Sequence, residues 1–123
     1  MTERKLLFTQ VIVLVVIFGL VIFGMSHDYL WGVAWYSAIS HFLGGVWVAL
    51  FAAWGQSMLR LPRNFVVYAG AALVVGIFWE IFEVSIGATH FPADIIDTIA
   101  DLCMDVIGGT VTAFALRYIW LRK

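Results

Sequence analysis

The sequence predicts an all-α, polytopic membrane protein, a bundle of four transmembrane helices with both termini cytoplasmic. Three observations carry that prediction. Of the 123 residues, 63% are apolar and 12% are charged, against about 45–50% and about 25% in a soluble domain. The apolar residues gather into four runs, each near the roughly 20 residues that cross a bilayer. Threaded through a membrane, those runs leave all 7 Lys and Arg on one side. The length suits a single membrane domain, residues 1–123. A net charge of −1 leaves no basic surface for phosphates, so nucleic acid is excluded as a partner and the lipid bilayer takes its place. One cysteine, Cys103, excludes an intramolecular disulfide and a thiolate zinc site.

The first span, residues 6–25, carries no charge. It is too long for the apolar core of a signal peptide, about 7–15 residues, and no A-x-A cleavage pattern follows it. It reads as an uncleaved helix, rich in Val and Ile, with a mostly lipid-facing role. The second span, 32–54, is interrupted only by His41. Leu61-Pro62-Arg63-Asn64 is a turn-like break before the third span, 65–87, which carries Glu80 and Glu83. Pro92 precedes Asp94, a first-turn or capping acid for the fourth span, 94–120. That span carries Asp97, Asp101, Asp105 and, near its end, Arg117. Trp31, Trp35, Trp54 and Trp120 fall near span ends, as interfacial aromatics do. Trp47 and Trp79 lie deeper and read as packing residues.

Orientation follows from the basic residues. Arg4 and Lys5, then Arg60 and Arg63, then Arg117, Arg122 and Lys123 share a side. By the positive-inside rule that side is cytoplasmic, in what reads as a bacterial inner membrane. His27, Asp28 and His90 then face outward, most simply as solvated loop residues.

The ionisable residues inside the spans form stripes. Asp94, Asp97, Asp101 and Asp105 are spaced 3, 4 and 4, within about 80° of one helix face, and Gly108 and Thr112 continue it. The third span aligns Ala69, Ala72, Gly76, Glu80, Glu83 and Gly87. The second aligns Ala34, Ser37, His41, Gly44, Gly45, Val48 and Ala52. Small residues beside polar ones mark helix–helix contact faces. With alternating directions, His41, Glu80, Glu83, Asp97, Asp101 and Asp105 all come within the outer half of the bilayer, about 6–16 Å from its outer edge.

Energy sets what these groups need. One ionised Asp at the centre of a span costs about 2.5–3.5 kcal/mol, so five acids cost on the order of 12–17 kcal/mol. A whole domain is stable by about 5–15 kcal/mol. Arg117 lies toward the other end and roughly 140° around its helix from Asp94. Protons, a metal cation or a cationic substrate must therefore neutralise the acids. A divalent metal fits best: carboxylates three or four apart on a helix can share an ion, and bundle cores use Glu and Glu-x-x-His in this way. The candidate ligands are His41, Glu80, Glu83, Asp94, Asp97, Asp101 and Asp105. Oxygen ligands with one imidazole point to Mg, Mn, Ca or Fe, and their number is enough for two ions. The plainer reading, protonated acids sharing hydrogen bonds around a core histidine, stays open beside it.

The motifs His41-Phe42-x-x-Gly45, Glu80-x-x-Glu83 and Asp94-x-x-Asp97-Thr98-x-x-Asp101, in that order, resemble the uncharacterised YjdF-type family of bacterial inner-membrane proteins. The likeness covers roughly the last two-thirds of the chain and extends distantly to the VanZ superfamily. It implies a fold and supports the site, without a substrate. Three function classes follow. The first is cation handling by a small transporter or channel, where a homo-oligomer would help four short helices enclose a pore. The second is a membrane-embedded metal-dependent enzyme acting on a lipid or lipid-linked phosphate. The third is a structural role with protonated acids.

Overall fold

A computed structural model describes residues 2–121. Arg122 and Lys123, two of the seven basic residues that set the expected orientation, lie outside the described residues. Four long helices form: α1 (Glu3–Ser26), α3 (Ala34–Met58), α4 (Phe65–Ser85) and α5 (Ile95–Leu121), with a one-turn helix α2 (Tyr29–Gly32) between the first two. All four long helices are long and apolar enough to cross a membrane. The chain is thus an all-helical, four-span bundle, as the composition and the four apolar runs require. Helix α3 continues one turn past the expected end at Trp54, and α2 is an element the hydropathy pattern does not contain.

Local chemistry sets the ends. Asn64 caps α4, its side chain accepting from Val66 N–H at 3.1 Å. Gln56, in the last turn of α3, accepts from Asn64 N–H at 3.3 Å and from the Tyr68 hydroxyl at 2.9 Å, closing the α3–α4 corner. On the same end, the Arg63 guanidinium lies 4.2 Å from the Trp120 ring centre and ties that corner to α5.

Helices α3, α4 and α5 pack on one another, and α1 leans on α3 and α2. The small-residue stripes are the reason α3, α4 and α5 come so close. A Cβ on Gly45 would strike the backbone carbonyl of Asp105, and one on Gly108 would strike that of Phe42. A Cβ on Gly109 would stand 2.9 Å from that of Ala72. The half of the bundle toward Arg60 and Arg63 is filled by an apolar core of Leu6, Ala49, Leu50, Ala53, Tyr68, Ala113 and Leu116. Helix α1 is largely exposed, as its lipid-facing composition suggests. It is nonetheless anchored. Gln10 is buried and donates to the Leu50 carbonyl at 3.4 Å, and the Tyr36 hydroxyl donates to the Leu20 carbonyl at 2.6 Å.

Candidate metal centre

The contact faces of α3, α4 and α5 meet above that apolar core, toward the end that carries His27 and His90. There His41, Glu80, Asp101 and Asp105 are all buried. Glycine makes the room. Gly76, one turn before Glu80, has no side chain where the Asp105 carboxylate sits, and a Cβ there would collide with it.

His41 is the hub. Its Nδ1 lies 3.1 Å from Asp105 Oδ2 in a hydrogen bond. With Asp105 ionised and the imidazole neutral, Asp105 accepts the Nδ1 proton and Nε2 keeps a free lone pair. Nε2 faces Glu80 Oε1 at 3.7 Å and Asp101 Oδ2 at 3.5 Å. Both distances are too long for a hydrogen bond. They suit ligands of one ion. Nitrogen and oxygen donors sit about 2.0–2.4 Å from a divalent metal, so neighbouring donors on it stand roughly 3–3.7 Å apart. One donor atom each from His41, Glu80 and Asp101 lies within 4.8 Å of the others.

Hydroxyls orient both carboxylates, Glu80 through its other oxygen and Asp101 through the oxygen that faces Nε2. Thr98 Oγ1 donates to Glu80 Oε2 at 2.8 Å, and Ser37 Oγ donates to Asp101 Oδ2 at 3.0 Å. Among the described residues, one buried side-chain polar atom lacks a hydrogen-bond partner, and it is Glu80 Oε1. Leaving a buried acceptor unsatisfied costs about 1–3 kcal/mol, more when it is charged. The orphan lies 3.7 Å from His41 Nε2. No Lys or Arg among the described residues forms an ion pair with any of the four groups. A histidine held through Nδ1 by a carboxylate, with Nε2 turned to two further carboxylates, is the arrangement proteins use to orient a metal-binding imidazole.

The seven sequence candidates therefore divide. His41, Glu80 and Asp101 form the group that could hold a metal, and Asp105 stands behind His41 as its hydrogen-bond partner. Glu83 is buried one turn farther along α4. Its Oε1 accepts from Trp79 Nε1 at 2.8 Å and Trp31 Nε1 at 3.0 Å, and its Oε2 accepts from the Thr89 hydroxyl at 3.2 Å. Its acceptor capacity is thus largely taken. Asp97 lies in the first turn of α5 and is exposed. Asp94 accepts from the His90 backbone N–H at 2.7 Å and lies 3.7 Å from the His90 ring, half-exposed just before α5. Asp97 and Asp94 stand apart from the central group. Cys103 is exposed on α5, away from the chemistry.

Ser37, Thr98, Trp31 and Trp79 were not singled out as partners of the acids. Ser37 belonged to the α3 stripe and Thr98 sits between Asp97 and Asp101, so the stripe contained a usable signal for both. Trp79 stands four residues before Glu83 on one helix, a spacing that brings side chains together, whereas nothing in the periodicity points from Trp31 to Glu83.

No protein-family model, no curated protein and no solved structure matches this chain.

Proposed function

We propose that this protein binds one divalent cation inside the membrane, with His41 Nε2, Glu80 and Asp101 as its ligands. The observation that carries this reading is the buried, unpartnered Glu80 Oε1 turned toward the free nitrogen of an imidazole whose other nitrogen is fixed by Asp105. Shared protons account for it less well, because a proton on Nε2 would find no acceptor at hydrogen-bond distance. An imidazole in the donor set moves preference from Mg and Ca toward Fe, and the two carboxylates also suit Mn. Glu83 is committed to Trp31, Trp79 and Thr89, which favours one ion over two.

The ion is held rather than conducted. What supports this is the apolar core below the site, from Tyr68 and Ala49 to Leu116, which contains no carboxylate or imidazole for a next step. A resident metal suits the reading as a metal-dependent membrane protein acting on a lipid or lipid-linked group. Cation transport is a second reading, favoured by the half-exposed Asp94 and exposed Asp97 that precede the buried Asp101 on one helix face. Kinship with the YjdF-type family belongs to the same proposal. Its support is that the three motifs supply His41, Glu80 and Asp101, together with Gly45 at the tightest helix crossing.

Metal analysis of purified protein tests the centre. Wild type should carry close to one equivalent of Mn or Fe after loading and desalting, and Glu80→Gln should carry almost none. Equal content in both would remove Glu80 from the site. In sealed vesicles a resident metal gives no divalent uptake above that of empty vesicles, whereas Asp101-dependent uptake would establish transport.

The orientation is also a proposal. The end that carries His27 and His90 faces outward from a bacterial inner membrane, because the basic residues among the described ones, Arg4, Lys5, Arg60, Arg63 and Arg117, lie at the opposite end. A single cysteine placed at His90, in a Cys103→Ser background, should react with a membrane-impermeant thiol reagent in intact cells. Reaction of a cysteine at Arg60 instead would invert the assignment.

A further inference from the structure

Helix α1 packs on α3 and α2 and makes no close approach to α4 among the described residues. The gap between α1 and α4 is a cleft of about 260 Å³. Ile17 and Val21 of α1 form one wall, Val75 and Trp79 of α4 form the other, and Trp47 of α3 stands between them. At its floor lie Ser40, His41 and Gly44 of α3, with Asp105 of α5, so the cleft meets the centre on the side of His41 and Asp105 rather than of Glu80 and Asp101. Along α4 the cleft runs from Glu83 to Ala72, about 16 Å at 1.5 Å per residue. That is about half the thickness of a bilayer's hydrocarbon core.

We infer that this cleft binds one hydrocarbon chain of a membrane lipid, which reaches the His41 centre sideways from the bilayer. The inference deepens the divalent-cation reading, and so rests on it, by naming a lipid as the molecule the centre meets. Shape and chemistry select the occupant. An apolar cavity of about 150 Å³ stays dry and takes a benzene ring, so a larger one with these walls favours hydrocarbon over water. A helix is about 10–12 Å across and, over this length, needs several times the volume available. The exposed apolar faces of α1 and α4 on either side, at Phe18 and Phe78, place the opening among lipid tails. The long axis follows α4, so it lies roughly along the direction of the surrounding acyl chains. Glu83, held by Trp31, Trp79 and Thr89, lies at the end nearer the membrane surface, where a lipid's polar part belongs.

Photolabelling tests it. The protein is reconstituted in vesicles doped with a phosphatidylcholine carrying a diazirine in one acyl chain, irradiated, and mapped by peptide mass spectrometry. The peptide with Ser40, His41 and Gly44 at the floor is compared with the label on lipid-facing Phe78. The floor should be labelled, and Ile17→Trp, which fills the cleft without touching a metal ligand, should cut that label at least fivefold while Phe78 labelling stays unchanged. Val75→Trp fills it from the opposite wall and serves where Ile17→Trp fails to fold. An unlabelled floor in wild type overturns the proposal, as does a floor labelled equally in wild type and the filled variants. Melting curves of the same samples with and without Mn keep the two readings separate. Floor labelling blocked by tryptophan upholds the lipid site even where Mn leaves the melting unchanged, and that last result would count against the metal reading alone.

Discussion

Millimolar Mn should raise the melting temperature of the detergent-solubilised protein by on the order of 10 °C, and Glu80→Gln or Asp101→Asn should abolish the rise. A ligand bound only by the folded state adds about 2.7 kcal/mol at a hundred times its dissociation constant. In a domain of this size each kcal/mol moves the midpoint by several degrees. The ligand-removing variants should also behave oppositely without metal. Each takes a charge out of a buried site with no Lys or Arg beside it, so with a neutral His41 both should melt at or above wild type in chelator. In Mn they should melt below it. That crossing separates a metal centre from acids that merely share protons, for which Mn and chelator would give superimposed curves. Asp97→Asn should keep the full rise, because Asp97 is exposed. Combining Glu80→Gln with Asp101→Asn should cost no more of the metal effect than either alone, since the two side chains lie against one imidazole nitrogen. Additive losses would mean that they serve different ions.

The helical wheel made much of this legible in the sequence. His41, Glu80, Asp101 and Asp105 lie on stripes of small residues, and small residues are what let three backbones approach closely enough for those side chains to meet. A wheel gives direction around a helix, however, and not the depth at which its neighbours begin. Asp97 and Asp101 share a face, yet one lies in the exposed first turn of α5 and the other, a turn deeper, is buried. The role of Asp105 was hidden for a related reason. Only the position of the imidazole shows that this carboxylate meets Nδ1 while Asp101 and Glu80 meet Nε2. Trp31 reaches Glu83 because the chain reverses at Asp28, which has a positive φ of 56°, and then forms α2. No hydropathy period encodes that reversal. Nor does it encode the cleft, which exists because α1 leans on α3 and leaves α4 uncovered. Gln10, next to Thr9, is polar in an otherwise apolar stretch, and its acceptor, Leu50, lies 40 positions away.

Gly108→Ala and Gly45→Ala should damage the centre without removing a single ligand. Both glycines lie where α3 crosses α5, each against a backbone carbonyl of the other helix, Phe42 for Gly108 and Asp105 for Gly45. A carbonyl fixed in a helix cannot swing aside as a flexible side chain can, so an added methyl must push the helices apart. Overpacking of this kind costs about 1–3 kcal/mol. The larger consequence is geometric. His41 lies one turn before Gly45 on α3, while Asp101 and Asp105 lie on α5, so widening this crossing lengthens the Nδ1 and Nε2 distances together. Both variants should melt several degrees below wild type in chelator and lose most of the Mn-dependent rise. Gly44→Ala is the control. It lies one residue away, and its added Cβ would stand 3.8 Å from Asp105 Oδ1, an ordinary contact. Gly55→Ala, in open space near the end of α3, should be neutral or slightly stabilising through its better helix propensity. Should Gly108→Ala and Gly45→Ala bind Mn as wild type does, the ligands would not depend on the closeness of α3 and α5, and the centre would have to be built differently from the way these helices place it.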